Sequence, residues 1–181
     1  AGIATPYPLS SATGGHAALN AIAELNDVAD RSLLIVEDDK PFLERLSRAM
    51  ESRGFAVTSC DSVSDGLAQI NKSAPAFAVV DLRLGDGNGL DVVRHAREQQ
   101  PRTEVIVLTG HGTIDTAIEA MRSGAYDYLR KPCPTEELEV TLHKALERQA
   151  LIRHNSILRD GFAAPDLGPG FVGGSGAFRE L

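Results

Sequence analysis

Short apolar segments alternate with amphipathic segments from Arg31 onward, and this alternation is the feature that most restricts the fold. The amphipathic segments repeat their apolar residues at the three- and four-residue spacing of a helix. The apolar segments have the length of strands and are residues 32–37, 55–60, 76–82, 104–109 and 125–132. Near-continuous apolar strands between helices are typical of a parallel sheet that is covered on both faces. The pattern therefore predicts an α/β fold with five parallel strands.

Residues that favour helix starts occur just before the predicted amphipathic helices. Pro41 is suited to the first turn of a helix, and Asp39, two residues earlier, is a predicted N-cap. Ser62 opens a sequence that resembles a capping box, and Thr113 is a further predicted N-cap. Thr135 is predicted to cap a long final helix. Pro101 closes a further helix, 89–100, so the alternation gives five strand–helix units.

Composition limits the class of protein. The 181 residues are 43% hydrophobic and 24% charged, which fits one ordinary globular domain with flanking segments. The net charge of -7 makes the chain a poor candidate for holding nucleic acid by itself. Cys60 and Cys133 lie far apart without a CxxC motif and are expected to be inert, reduced thiols. With no signal-peptide pattern and no apolar stretch of membrane-spanning length, we expect a cytoplasmic location.

Four regions are expected along the chain. Residues 1–30 are rich in Ala, Gly, Ser, Thr and Pro and are predicted to be a flexible leader, while 31–150 form the α/β domain. The final helix is expected to reach about Arg159 and to continue into a Pro/Gly-rich linker, together 151–170. Residues 171–181 are expected to start a further, truncated domain.

Polar residues follow four of the predicted strands. Glu37 and Asp38 follow the first strand, Asp81 the third, Thr109 the fourth and Lys131 the fifth. The carboxyl ends of parallel strands meet at one edge of the sheet, so these side chains should converge there. Three carboxylates would repel by roughly a few kcal/mol per close pair, and an all-oxygen set favours Mg²⁺ as the neutralising cation. A divalent ion, an ammonium and a hydroxyl around one carboxylate suit a phosphoryl group on that carboxylate.

This set resembles the receiver domain of two-component response regulators over about 31–150. The resemblance rests on four motifs in order, LIVEDD, VVDLRL, VLTG and YLRKP. It implies a flavodoxin-like (CheY-like) doubly wound sheet in strand order 2-1-3-4-5 with a long C-terminal helix. Two positions depart from the usual pattern, Glu37 where aspartate is commoner and Gly85 where many relatives carry proline.

The resemblance also implies roles for the site residues. Asp81 would be the phosphoacceptor, and Mg²⁺ would be held by Asp38, Asp81 and the backbone carbonyl of Arg83, with Glu37 acting through water. Lys131 would neutralise the phosphoryl group, and its bond to the following proline is expected to be cis. Thr109, in VLTG, and Tyr128, in YLRKP, would be the switch residues. The glycines after Asp81 are expected to let the backbone turn tightly and leave the carboxylate open.

Partners follow from the same resemblance. A sensor histidine kinase would supply the phosphoryl group, and a homodimer would form through the helix 4–strand 5–helix 5 face or the extended C-terminal helix. The segment 111–132 and the Gly-Ser-rich end resemble NtrC-class, sigma-54-dependent activators, whose output domain is an AAA+ ATPase. The segments 32–55 and 79–93 resemble RegA/PrrA/ActR redox regulators, which carry a DNA-binding domain instead. Neither a GxxxxGK[ST] motif nor a helix-turn-helix occurs, so contact with DNA or RNA polymerase is expected only through output domains that this sequence lacks.

Two further function classes compete with a signalling switch, which is not expected to be an enzyme. A Mg²⁺-dependent phosphohydrolase with a nucleophilic Asp81 would need a second acid/base aspartate two residues later, where Arg83 stands. A flavodoxin-like nucleotide carrier would need a Gly/Ser/Thr-rich loop after the first strand, but that loop is acidic. Phosphorylation-controlled signalling is therefore the function that the sequence favours.

Overall fold

The structure, a computed structural model, describes residues 29–161, and in this part of the chain five parallel strands alternate with five helices. The strands are β1 (Ser32–Val36), β2 (Ala56–Cys60), β3 (Phe77–Val80), β4 (Glu104–Thr109) and β5 (Asp127–Arg130). The helices are α1 (Lys40–Glu51), α2 (Val63–Ser73), α3 (Leu90–Gln99), α4 (Ile114–Arg122) and α5 (Thr135–Gly161). A short antiparallel hairpin, Arg83–Leu84 with Gly87–Asn88, lies between β3 and α3 and was not predicted.

The five strands form one sheet in the order β2-β1-β3-β4-β5, and every neighbouring pair is parallel. This confirms the predicted fold and strand order. The chain moves outward from β1 to β2 and then returns to the other side of β1 with β3. Such a reversal leaves a crevice at the carboxyl ends of β1 and β3, where α/β proteins place their functional groups.

Two apolar layers cover the sheet because successive residues of a strand point to opposite faces. In β1, Leu34 and Val36 join the layer beneath α2, α3 and α4, whereas Leu33 and Ile35 join the layer beneath α1 and α5. The inner strands β1 and β3 are buried almost throughout, as predicted for a sheet with helices on both sides. The edge strand β2 is mostly exposed, which explains its more polar sequence.

Three of the predicted helix caps are present. Asp39, Ser62 and Thr113 each precede a helix, and each side chain accepts a hydrogen bond from the backbone N–H three residues later. The prediction for Thr135 was wrong by one residue, because Thr135 is the first residue of α5. The carbonyl of Pro134 accepts the N–H bonds of the first turn instead, which a proline can do since only its donor is missing.

Helix α5 reaches slightly beyond its predicted end. Its first half packs on the sheet, and the side-chain amide of Gln149 donates to the carbonyls of Ala76 and Arg102 at 3.1 and 3.0 Å. After that point Leu151 and Ile157 are exposed. The predicted leader, apart from its last two residues, and the predicted Pro/Gly-rich linker and further domain lie outside the described residues. Among the described helices, none has the length and apolar character needed to span a membrane.

Candidate functional site

The carboxyl edge of the sheet holds the predicted site residues because backbone hydrogen bonds fix each strand end beside the next. The N–H of Glu37 donates to the carbonyl of Cys60 at 3.0 Å, and the N–H of Asp81 donates to the carbonyl of Val36 at 3.0 Å. On the other side, β4 and β5 pair up to Thr109, whose carbonyl accepts from the N–H of Lys131. Because β3 also pairs with β4, the carboxyl ends of all five strands lie side by side at this edge.

Lys131 joins two carboxylates across this edge. Its ammonium donates to Oε2 of Glu37 at 2.5 Å and to Oδ2 of Asp81 at 3.0 Å. Glu37 is 3% exposed and Asp81 is 8% exposed, so both ion pairs are largely shielded from water. The Lys131–Pro132 peptide bond is cis, as the resemblance implied. The ammonium is thus held against the carboxylate that was predicted to react.

Three carboxylates converge beside the ammonium. Glu37, Asp38 and Asp81 each offer one oxygen, and these oxygens lie within 4.8 Å of one another. Glu37 and Asp81 are buried, whereas Asp38 is exposed at the mouth of the site. The three carboxylates and the single ammonium leave a formal charge of -2 there. An all-oxygen set with that charge fits a hard divalent cation such as Mg²⁺.

Burial affects the pKa values of Glu37 and Lys131 differently. Burial raises the pKa of Glu37 above its usual 4.5, and the nearby Asp81 adds to this, although the bonds from Lys131 and from the N–H of Asp39 oppose it. For Lys131, burial alone would lower the pKa, but the bonds to both carboxylates and their charges raise it above 10.5. Lys131 therefore carries a positive charge at neutral pH.

The side chains of Thr109 and Tyr128 take no part in this ion-pair cluster. Thr109 is completely buried, and its hydroxyl accepts from the N–H of His111 at 3.4 Å. Tyr128 is half-buried, with its hydroxyl 3.4 Å from that of Thr116 at the start of α4. A Cβ at Gly112 would lie 1.7 Å from the tyrosine hydroxyl, so the absence of a side chain there makes room for the ring. The switch roles predicted for Thr109 and Tyr128 stay predictions.

The loop after Asp81 differs from expectation in one respect. None of its three glycines has a left-handed backbone conformation, so the turn does not depend on the freedom of glycine. Gly89 is required for another reason, because a Cβ there would lie 2.0 Å from the carbonyl oxygen of Asp81. A Cβ at Gly85 would meet only Oδ2 of Asp38, at 3.8 Å, which is ordinary contact. The backbone N–H of Arg83 donates to Oδ1 of Asp81 at 3.2 Å, while the role of the Arg83 carbonyl as a metal ligand stays a prediction.

Two residues at this edge were missed from the sequence. The ring of Phe42 lies beneath the ammonium of Lys131, with 4.5 Å between Nζ and the ring centroid. Asp86, in the hairpin loop, accepts from the N–H groups of Val63 and Ser64 at the start of α2. Both contacts join segments far apart in sequence, and no local motif indicates either.

The two cysteines have the passive character expected of them. Burial raises the pKa of Cys60 to about 11, and the negative charges of Asp65 and Asp61 contribute. Burial and the bond to Glu137 raise the pKa of Cys133 to about 11. Both are therefore thiols at neutral pH and weak nucleophiles.

Comparison with known proteins shows that the sequence is similar to those of regulatory proteins. The sequence profile of the response regulator receiver domain matches residues 33–143. The photosynthetic apparatus regulatory protein RegA of Cereibacter sphaeroides is 56% identical over 110 residues, which are 61% of this chain and 60% of that protein. The alginate biosynthesis transcriptional regulatory protein AlgB of Pseudomonas aeruginosa is 35% identical over 128 residues, which are 71% of this chain and 28% of that protein.

A solved structure supports the same assignment. The beryllofluoride-activated NtrC4 receiver domain dimer superposes with a TM-score of 0.62 at 30% identity, covering 66% of this chain and 98% of that one. The chain spans about 60% of the length of the RegA proteins that it matches. Similarity to both RegA and AlgB agrees with the mixed resemblance seen in the sequence.

Proposed function

This chain belongs to the family of response regulator receiver domains, and we propose that it is a phosphorylation-dependent switch with Asp81 as the phosphoacceptor. One observation carries the proposal. Asp81 is buried at the sheet edge with one oxygen held by the N–H of Arg83 and the other by the ammonium of Lys131. Glu37 and Asp38 stand beside it. A carboxylate placed in this way is oriented for reaction and is accompanied by groups that can balance added negative charge.

The proposed reaction is phosphoryl transfer from a phosphohistidine of a sensor kinase. A carboxylate oxygen of Asp81 attacks phosphorus, the P–N bond breaks, and its electron pair returns to the ring nitrogen. The histidine leaves as a neutral imidazole because its other nitrogen carries a proton. Asp38, Asp81 and the carbonyl of Arg83 would hold Mg²⁺, with Glu37 acting through water, and the ion would neutralise charge on the transferred phosphoryl oxygens. The product is an acyl phosphate on Asp81.

Lys131 has two functions in this scheme. Before transfer, it partly offsets the repulsion between Glu37 and Asp81, to each of which it donates a hydrogen bond. During transfer, it would follow the charge and donate to a phosphoryl oxygen, which costs little reorganisation because the ammonium already lies beside the reacting carboxylate. The half-buried setting strengthens both interactions compared with water.

The response to phosphorylation would pass through Thr109 and Tyr128. The hydroxyl of Thr109 would move to bond a phosphoryl oxygen, and Tyr128 would follow into the space released. In the present arrangement the Tyr128 hydroxyl contacts Thr116 on α4. Movement of the ring would therefore change the start of α4 and the surface beside it. Shifting such an equilibrium from 1:99 to 99:1 needs about 5.5 kcal/mol, which a few charge-assisted hydrogen bonds at ~1.5–3 kcal/mol each can supply.

We further propose that 31–150 act as the receiver, in the cytoplasm, and that the switched surface controls a homodimer and through it transcription. The NtrC4 receiver domain was solved as a dimer in its activated form. The dimer face would be the helix 4–strand 5–helix 5 surface or the extended α5. Contact with DNA or RNA polymerase would belong to output domains outside 31–150.

Two kinds of output remain as alternatives within this proposal. The 56% identity to RegA favours a redox-responsive regulator with a DNA-binding domain. The similarity to AlgB and to the NtrC4 receiver favours a sigma-54-dependent activator with an ATPase domain. Either output would leave the chemistry at Asp81 unchanged.

The decisive experiment is phosphorylation with acetyl phosphate in Mg²⁺, followed by intact-mass measurement. We expect the native chain to gain one phosphoryl group and Asp81→Asn to gain none, because an amide oxygen is a poor nucleophile. Chelation of Mg²⁺ should slow the native reaction strongly, since the carboxylate cluster then faces the incoming phosphate without a cation.

Asp39→Asn is the matched control, because Asp39 adjoins the cluster but its side chain caps α1. Asparagine keeps a cap acceptor, so this variant should react like the native chain. Uptake of phosphate by Asp81→Asn, or none by the native chain, would contradict the proposal. Continuous hydrolysis of unrelated phosphoesters would indicate the competing phosphohydrolase.

A further inference from the structure

We propose that Phe42 is a positioning residue for the phosphoryl-transfer reaction, with its ring serving as the platform that holds the Lys131 ammonium beside Asp81. The inference rests on the proposed function, and it assigns to this chain a part of the site that lies outside the charged set. Phe42 touches neither of the groups that exchange the phosphoryl group. It acts through Lys131.

The geometry places the ammonium between three partners. Nζ of Lys131 is 2.5 Å from Glu37, 3.0 Å from Asp81 and 4.5 Å from the centroid of the Phe42 ring. The distance to the ring is within the range in which an aromatic quadrupole attracts a cation. Two carboxylates and the face of the ring therefore all attract the ammonium.

The ring is itself fixed by the fold. The N–H of Phe42 donates to the cap side chain of Asp39 at 3.2 Å, which sets the first turn of α1. The ring packs against the apolar layer beneath α1 and α5, and it forms one wall of a small cleft of about 170 Å³ that Leu46 and Leu138 also line. The platform is thus tied to the core rather than to a mobile loop.

The lysine needs such support because its side chain has about four rotatable bonds and can place its charge in many positions. When Asp81 receives a phosphoryl group, the bonds to Glu37 and Asp81 must rearrange. The ring does not change during the reaction, so it keeps the ammonium at the edge throughout. A leucine would fill similar space but would offer no aromatic face to the cation.

The test compares Phe42→Leu with Phe42→Tyr. Loss of a partly exposed cation–π contact corresponds to about a two- to fivefold change in a rate or equilibrium. We expect Phe42→Leu to lower the rate constant for phosphorylation by acetyl phosphate by about two- to fivefold, and Phe42→Tyr to react at the native rate because it keeps the ring. Proton NMR adds a readout that does not depend on activity. The ε-methylene protons of Lys131 should show an upfield ring-current shift in the native chain and in Phe42→Tyr, and should lose it in Phe42→Leu.

Leu46→Val is the matched control for packing. It removes a methylene from the same cleft and leaves the ring in place. This variant should keep both the Lys131 shift and the native rate, even where its melting temperature falls as far as that of Phe42→Leu. A native rate in Phe42→Leu, an equal loss in Phe42→Tyr, or an equal loss in Leu46→Val would overturn the inference.

Failure of this inference and failure of the proposed function give different results. If the native chain takes up no phosphoryl group, the proposed function fails, and the NMR shift alone decides whether the ring holds the lysine. If the native chain is phosphorylated and Phe42→Leu reacts equally fast, only the role of Phe42 is rejected.

Discussion

At the scale of single residues, the site combines a rigid backbone with a movable charge. Asp81 is fixed by the bond from its N–H to Val36 and by the bond from Arg83 to its side chain. Lys131 reaches the same place from another strand through a flexible side chain. Local sequence explains the first arrangement, since the residue after a buried strand must lie at the sheet edge. The second depends on how β5 is placed relative to β1.

Gly89 offers a test of the backbone around Asp81. We expect Gly89→Ala to lower the free energy of unfolding by about 1–3 kcal/mol, because the added Cβ would overlap the carbonyl of Asp81, which cannot move without distorting β3. Urea denaturation followed by circular dichroism measures this change.

Gly85→Ala is the matched control in the same loop, since its Cβ would make only an ordinary contact. It should change the free energy of unfolding by less than about 0.5 kcal/mol. Equal effects of the two substitutions would show that the loop is adaptable and that the close approach of Gly89 carries no special cost.

At the scale of elements, the hairpin after β3 stabilises a helix to which it is not adjacent in sequence. Asp86 accepts from the N–H of Val63 at 2.8 Å and from that of Ser64 at 3.1 Å, in addition to the cap that Ser62 provides. The first turn of α2 therefore has acceptors from two segments. This matters for the site because the hairpin also carries Arg83.

Removal of this second cap should lower the melting temperature. Asp86→Ala leaves two N–H groups at the start of α2 without their acceptor, and Asp86→Asn should fall between it and the native chain because it keeps one oxygen. Asp61→Ala is a control, since Asp61 is an exposed acid nearby with only a 3.8 Å ion pair to Lys40. Thermal unfolding by circular dichroism provides the measurement.

The effect should also depend on pH. The N–H bonds from Val63 and then Ser64 hold the pKa of Asp86 below its usual 3.8. A lowered pKa in the folded state gives a stabilisation that is complete above the usual pKa and is lost as pH falls through the lowered one. The difference between native and Asp86→Ala should stay constant from neutral pH to about 4 and shrink below that. A difference that grows on acidification would contradict this assignment.

At the scale of the whole molecule, two exposed apolar stripes are candidates for the proposed dimer face. On α4, Ile114, Ile118 and Met121 follow one another on one side of the helix and are 81%, 44% and 46% exposed. On α5, Leu151 and Leu158 lie one heptad apart, with His154 between them on the same side. The stripe on α4 is continuous, whereas that on α5 is interrupted by a polar residue.

We expect the face on α4 to provide more of the dimer affinity. The double substitution Ile114→Ser with Met121→Ser should raise the dimer dissociation constant at least about tenfold, because burial of such side chains contributes about 1.5–3 kcal/mol each when complete. Sedimentation equilibrium with and without beryllofluoride in Mg²⁺ measures this, and it also shows whether activation makes or breaks the dimer.

The matched variant is Leu151→Ser with Leu158→Ser on α5. It should leave the dissociation constant within about threefold of the native value, a change of roughly 0.65 kcal/mol. A larger effect of the α5 variant would assign the dimer interface to the extended helix. A chain that stays monomeric under every condition would show that neither helix face forms a dimer.

The sequence by itself determined the α/β class, the five strands and most helix starts, because apolar periodicity and cap residues act over a few neighbouring positions. It also indicated which residues end the strands, and a parallel sheet necessarily brings those ends together. Only the tertiary structure decided the contacts between distant segments, among them the ring of Phe42 beneath Lys131 and the cap from Asp86. These depend on the relative placement of helices and loops, which is set by packing summed over the whole core and leaves no signal in any short stretch of sequence.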